Sequence, residues 1–136
     1  MKPRGPTTCR GIRGATTVDS ADDAAVAAAT RELLDEIEVA NGCRPEDVAA
    51  VVFTLTADLA GANPAEAARG VGWAEVPLLC LAEHPTGGAA PDRCLRVLLL
   101  WNTDRPQSEI RHVYLRGAQA LRPDLVADAK GGSLPW

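Results

Sequence analysis

Apolar residues recur along this chain with two different rhythms. Val26, Ala29, Leu33, Ile37 and Ala40 lie three or four positions apart, which lines them along one side of a helix over 19–41. Asp19 or Ser20 suits the exposed amides at the helix start, Asp22 and Asp23 suit the positive end of its dipole, and Asn41-Gly42 supplies the stop. Elsewhere the apolar runs are short and rich in branched residues. Residues 9–17 read as a first strand around Ile12, and VAAVVFTLT at 48–56 as a strand buried on both faces. VPLLCL at 76–81, CLRVLLLW at 94–101 and RHVYL at 111–115 complete a set of five. Asn63-Pro64 is a natural cap and first residue of a short helix through Arg69, before Gly70 and Gly72 interrupt it. GAQALRPDL at 117–125 predicts another short helix ending near Pro123. Turn-forming residues fill the loop through Asp58 and Gly61, the segment EHPTGGAAPD at 83–92, and residues 102–108. The sum is a mixed α+β domain over 9–125, with a five-stranded sheet and two or three helices, between flexible tails at 1–8 and 126–136.

Composition narrows what such a domain can do. A chain of 136 residues holds one domain, and its folding buries roughly two-thirds of the unfolded surface. Aromatic residues make up only 4%, so the core is built from Ala, Val, Leu and Ile, and stacking platforms for bases are not expected. The net charge of -4 removes the basic field that carries non-specific nucleic-acid affinity. No apolar run approaches the roughly 18 residues of a membrane span, and MKPRGPTTCR leads into no apolar signal segment. Cys9, Cys43, Cys80 and Cys94 form no C-x-x-C pair, so reduced thiols and a cytoplasmic location are expected. His84 and His112 lack zinc-ligand spacing, and neither a dinucleotide fingerprint nor a Walker A sequence occurs, so no metal or nucleotide cofactor is expected.

Of 14 basic residues, 12 are arginines, which turns attention to fork-shaped recognition of anions. Arg96 lies in mid-strand between Leu95 and Val97, where an unpaired guanidinium is expensive to bury, so something anionic should face it. Two readings stay open. One is a structural ion pair with a neighbouring strand, for which Glu83 is the obvious partner; the other is a bound anionic ligand. Glu83 sits where a strand opens into a Gly-rich loop, a place for functional side chains as well as for solvated carboxylates. Arg13, between Ile12 and Gly14, has small neighbours that admit a ligand, or it is a surface residue of an edge strand. Tyr114 can offer a hydroxyl to a polar ligand or pack in the core, and Cys80 reads as a buried strand thiol rather than a nucleophile.

RGIRGATT at 10–17, TADL at 56–59, NPAEAAR at 63–69, VPLLCLAE at 76–83, CLRV at 94–97 and RHVYL with LRPDL between 111 and 125, taken in order, resemble the monofunctional chorismate mutases of the Bacillus type. The resemblance implies a homotrimer around a β-rich pseudo-barrel core, with active sites in clefts between subunits and no cofactor. It implies the Claisen rearrangement of chorismate to prephenate, on the route to phenylalanine and tyrosine. On the same basis Arg96 bonds the ether oxygen and a carboxylate, Arg13 a substrate carboxylate, and Glu83 the ring hydroxyl with Cys80 beside that contact. Tyr114 matches a tyrosine that reaches a carboxylate, Arg69 a cation at the mouth, and Leu121 with Arg122 the segment that closes over the ligand. Asn63 stands where an aromatic wall residue is common, Glu66 replaces a basic residue, and Leu79 replaces a small polar one. Two other readings compete: a non-catalytic trimeric module that binds a small carboxylate, and a reactive-intermediate deaminase on a similar fold.

Overall fold

The computed structural model describes residues 6–84 and 91–124. Helix α1 (Asp23–Asn41) starts at Asp22, whose carboxylate accepts the Ala25 N–H at 2.8 Å. The cap is thus Asp22 rather than Asp19 or Ser20; the Ser20 hydroxyl instead donates to the capping carboxylate. The stop falls where the sequence puts it, with Gly42 in the left-handed region at φ 73° and its N–H donating to Glu38 O at 2.7 Å. Val26, Ala29, Leu33 and Ile37 form the buried stripe.

Five strands make one mixed sheet: β1 (Thr8–Thr17), β2 (Val48–Leu55), β3 (Leu78–Ala82), β4 (Cys94–Thr103) and β5 (Val113–Tyr114). Their spatial order is β3-β2-β4-β1-β5. β4 is antiparallel to both β1 and β2, while β3 and β5 add in parallel at the two edges. Strand boundaries move relative to the sequence reading, most of them by one residue and three by more. β4 runs on through Asn102 to Thr103, β3 begins two residues later than Val76, and β5 keeps only two residues of RHVYL. Helix α2 (Pro64–Ala68) has the expected Asn63 cap and leads into a wide turn over Arg69–Trp73 with Gly72 at φ 106°. The segment after β5 is a 3-10 helix, Arg116–Leu121, entered through Arg116 at φ 52° rather than through an α-helical turn. The expected tails at 1–8 and 126–136 fall largely outside the described residues, though Thr8 already belongs to β1.

The core lies on one side of this sheet. Ile12, Phe53, Val97 and Leu99 point toward α1 and meet Leu33, Leu34 and Ile37. Helix and sheet pack tightly at Gly14, where a Cβ would stand 2.9 Å from Ile37 Cδ1 and 3.0 Å from Val97 Cγ1. β2 is therefore not buried on both faces: Val48, Val51, Phe53 and Leu55 are buried, whereas Ala49 is exposed and Ala50, Val52 and Thr54 are only partly covered. The same holds in β4, where Arg96 and Leu98 are exposed between buried neighbours. None of the helices among the described residues is long and apolar enough to cross a membrane.

Candidate active site

The face of the sheet turned away from α1, covered only in part by the 3-10 helix, carries the chemistry. Arg96 pairs with Thr54 across β2 and with Ala15 across β1, while Arg13 pairs with Leu98. Because side chains alternate along a strand, Arg13, Thr54, Arg96 and Leu98 share one face. A cleft of about 280 Å³ opens there, lined by Arg13, Gly14, Val52, Thr54, Arg96, Val97, Leu98 and Tyr114.

Arg96 meets Glu83 as a two-point fork. Its Nε–H donates to Oε1 at 2.7 Å and its Nη2–H to Oε2 at 2.6 Å. The Thr54 hydroxyl donates to the same Oε1 at 2.7 Å. These donors, the Arg96 fork foremost, hold the Glu83 carboxyl below its ordinary pKa, and the carboxylate in turn raises that of Arg96. The structural ion pair read from the sequence is present, yet it does not consume the arginine. A guanidinium has five N–H donors and Glu83 takes two; the remaining three have no hydrogen-bond partner among the described residues. Their carrier side chain is 48% exposed, whereas that of Glu83 is only 12% exposed.

Tyr114 joins the cleft through β5, whose Tyr114 pairs with Ala15. Leu121, at the end of the 3-10 helix, packs with Tyr114 on a small cluster of Ala15, Cys94 and Ala118. Arg122 follows it and is paired with Asp124 at 2.8 Å. The remaining sequence candidates do not line the cleft. Asn63 spends its side chain capping α2, accepting the Glu66 N–H at 3.1 Å, and Arg69 is exposed beyond that helix. Leu79 is 60% exposed on β3. Cys80 is exposed rather than buried, and it lies beside Phe53 in the register, on the opposite face from Arg96. The buried thiols Cys43 and Cys94 are both pushed up to about 11, chiefly by desolvation, which keeps them protonated at neutral pH. Part of the loop expected at 83–92 lies outside the described residues.

The chorismate mutase type I family model matches residues 9–125, which is most of the chain. This chain belongs to the type I chorismate mutase family. It is 56% identical over 117 residues to chorismate mutase AroH of Thermus thermophilus, an alignment covering 85% of this chain and 95% of that protein. It is 43% identical over 117 residues to chorismate mutase AroH of Bacillus subtilis strain 168, covering 85% and 91% respectively. A solved chorismate mutase from Clostridium thermocellum superposes with a TM-score of 0.77 at 41% identity, over 80% of this chain and 96% of that one. The protein is thus an isomerase of aromatic amino-acid biosynthesis, and the two competing readings, a carboxylate-binding module and a deaminase, give way to mutase activity.

Sequence reasoning gave no role at the site to Thr54, Gln107 or His112, the last considered only as a metal ligand and set aside. Thr54 holds Glu83, and its signal was a hydroxyl facing the Arg96 position in an otherwise apolar strand. Gln107 and His112 bond the backbone of β1 on either side of Ile12. No periodicity marks such side-chain to backbone pairing.

Proposed function

We propose that the rearrangement of chorismate takes place in the cleft above β1 and β4, and that Arg96 is its principal catalytic residue. The observation that carries this reading is the half-occupied fork: one edge of the guanidinium is fixed on Glu83 while its other donors face open space beside Arg13 and Tyr114. In chorismate the breaking ether C–O bond gathers negative charge on oxygen before the new C–C bond is complete. No proton has to move. Rate acceleration then comes from holding the enolpyruvyl arm over the ring and from fixed positive charge at the ether oxygen. A guanidinium already clamped by a carboxylate needs little reorganisation to supply that charge. Arg13 and the Tyr114 hydroxyl bind the substrate carboxylates. Glu83, held ionised, is purely an acceptor and takes the hydrogen bond of the ring hydroxyl. Cys80 and Leu79 on β3, with Asn63 and Arg69, lie off the cleft of their own chain and belong to the wall and mouth of a neighbouring subunit's cleft in this reading, while Leu121 with Arg122 closes over the ligand.

The homotrimer belongs to the same reading. Leu79, Leu81 and Leu98 are 60%, 50% and 42% exposed and share the outward side of the sheet with Arg96. Apolar side chains grouped in this way are suited to burial by further copies of the chain, which would enclose a β-rich core and complete each cleft from a neighbour. The family's biosynthetic role supports a cytoplasmic location. Purified protein mixed with chorismate should form prephenate far faster than buffer does, and sedimentation should give three times the chain mass. A folded monomer of full activity would overturn the intersubunit cleft, and a folded trimer without turnover would overturn the assignment of the site.

A further inference from the structure

The outer edge of β1 is completed mainly by side chains. At Gly11, the Gln107 amide bonds the backbone in both directions, its Oε1 accepting the N–H at 3.1 Å and its Nε2 donating to the carbonyl at 2.8 Å. At Arg13, the N–H donates to His112 Nδ1 at 2.9 Å. Backbone takes over from Gly14, where β5 begins to pair, and at Ala15 the Leu115 N–H donates to the carbonyl at 2.9 Å. The segment carrying His112 is itself pinned by Asn41, a buried residue at the end of α1. Its Oδ1 accepts the Arg111 N–H at 2.8 Å, and its Nδ2 donates to the Arg111 carbonyl at 2.9 Å. Two amide clamps therefore anchor the segment before and beside His112, and the histidine bond falls on the one residue of this edge whose side chain enters the cleft.

We propose that His112 is a positioning residue for the rearrangement: by accepting the backbone N–H of Arg13 through Nδ1, it fixes β1 where the Arg13 guanidinium meets a substrate carboxylate. The inference rests on the assignment of Arg13 as a carboxylate ligand. An accepting Nδ1 leaves the ring proton on Nε2, so the neutral tautomer is the working one. The flanking clamps carry the attachment of the segment, so loss of this bond acts on the placement of Arg13 more than on the fold. β5 pairs with Gly14 and Ala15 and leaves the Arg13 N–H to His112.

The test uses the full chain and chorismate kinetics. In His112→Asn the side-chain oxygen can occupy the place of Nδ1, whereas in His112→Gln it is carried one carbon further; His112→Ala is a second variant without the acceptor. The expected result is a KM raised about tenfold in the Gln and Ala variants, with Asn within about threefold of wild type, for loss and rescue of one hydrogen bond. In an Arg13→Ala background the Gln substitution should add nothing further, because its effect passes through Arg13. Unchanged KM in the Gln and Ala variants, equal impairment in Asn, or an undiminished effect without Arg13 would each overturn the inference. Arg13→Ala with wild-type KM would strike the underlying assignment of Arg13 instead.

Discussion

Replacing Arg96 by lysine keeps the charge and removes the fork. Arg96 spends its Nε–H and one Nη2–H on Glu83 at 2.7 and 2.6 Å, and its remaining donors sit on a rigid plane turned to the cleft. An ammonium concentrates its donors on one atom. If that atom stays on Glu83 it vacates the ether-oxygen position, and if it moves to the substrate it leaves the carboxylate without its partner. Loss of one preorganised donor to a developing oxyanion costs about 3 kcal/mol, roughly a hundredfold or more in kcat. The structural cost is small, because the pair is half exposed on the arginine side and such pairs contribute about 1 kcal/mol or less. Arg96→Lys should therefore lose most of its turnover while its melting temperature drops by only a few degrees. Chorismate disappearance and prephenate formation, followed beside thermal unfolding, separate the two effects. Turnover within about threefold of wild type in a folded protein would refute the reasoning.

Other consequences can be checked independently. Gly14→Ala places a methyl group 2.9 Å from Ile37 Cδ1 and 3.2 Å from Leu33 Cδ1, so denaturant unfolding should show a loss of about 1–3 kcal/mol from overpacking. Burial, aided by the nearby Arg13 and Arg122 charges, pushes the His112 pKa down to about 4 from an ordinary value near 6.5. The unfolded chain then binds a proton that the native state refuses, so stability should fall as pH drops from about 6.5 to 4, by roughly 2 kcal/mol for a part-buried ring, and His112→Asn should abolish this component. Thr54→Val removes a 2.7 Å hydrogen bond to Glu83 and should lower kcat/KM by about threefold to tenfold, the Glu83 pKa moving up toward its ordinary range in a pH–rate profile. If further copies cover the face that exposes Leu81, as proposed, Leu81→Glu should shift sedimentation toward the monomer and reduce activity with it, since a charge is costly to bury there.

What could be read in advance followed from local physics. Helix α1 was legible because a three-and-four spacing and an Asn-Gly stop speak only about neighbouring residues, and even there the cap was misplaced because acidic and hydroxyl residues crowd positions 19–23. The Arg96–Glu83 pair was legible because a guanidinium in an apolar strand demands an anion. Leu98 was not, since an apolar residue in an apolar run gives no sign of which face it takes or whether that face is covered by the same chain. Thr54 escaped because a hydroxyl is ordinary in a strand, and Gln107 and His112 because pairing between a side chain and a distant backbone leaves no local signature.

The sheet has two borders of unlike character. Beyond β1, the short strand β5 and the amide and imidazole groups of Gln107 and His112 occupy hydrogen-bonding sites that an incoming strand would use, while β3 at the other border is a largely exposed apolar strand. Ribbons that lengthen by adding molecules head to tail need both margins, one on each molecule. With one margin already occupied from within, lengthening of the sheet by edge-to-edge addition is disfavoured on that side.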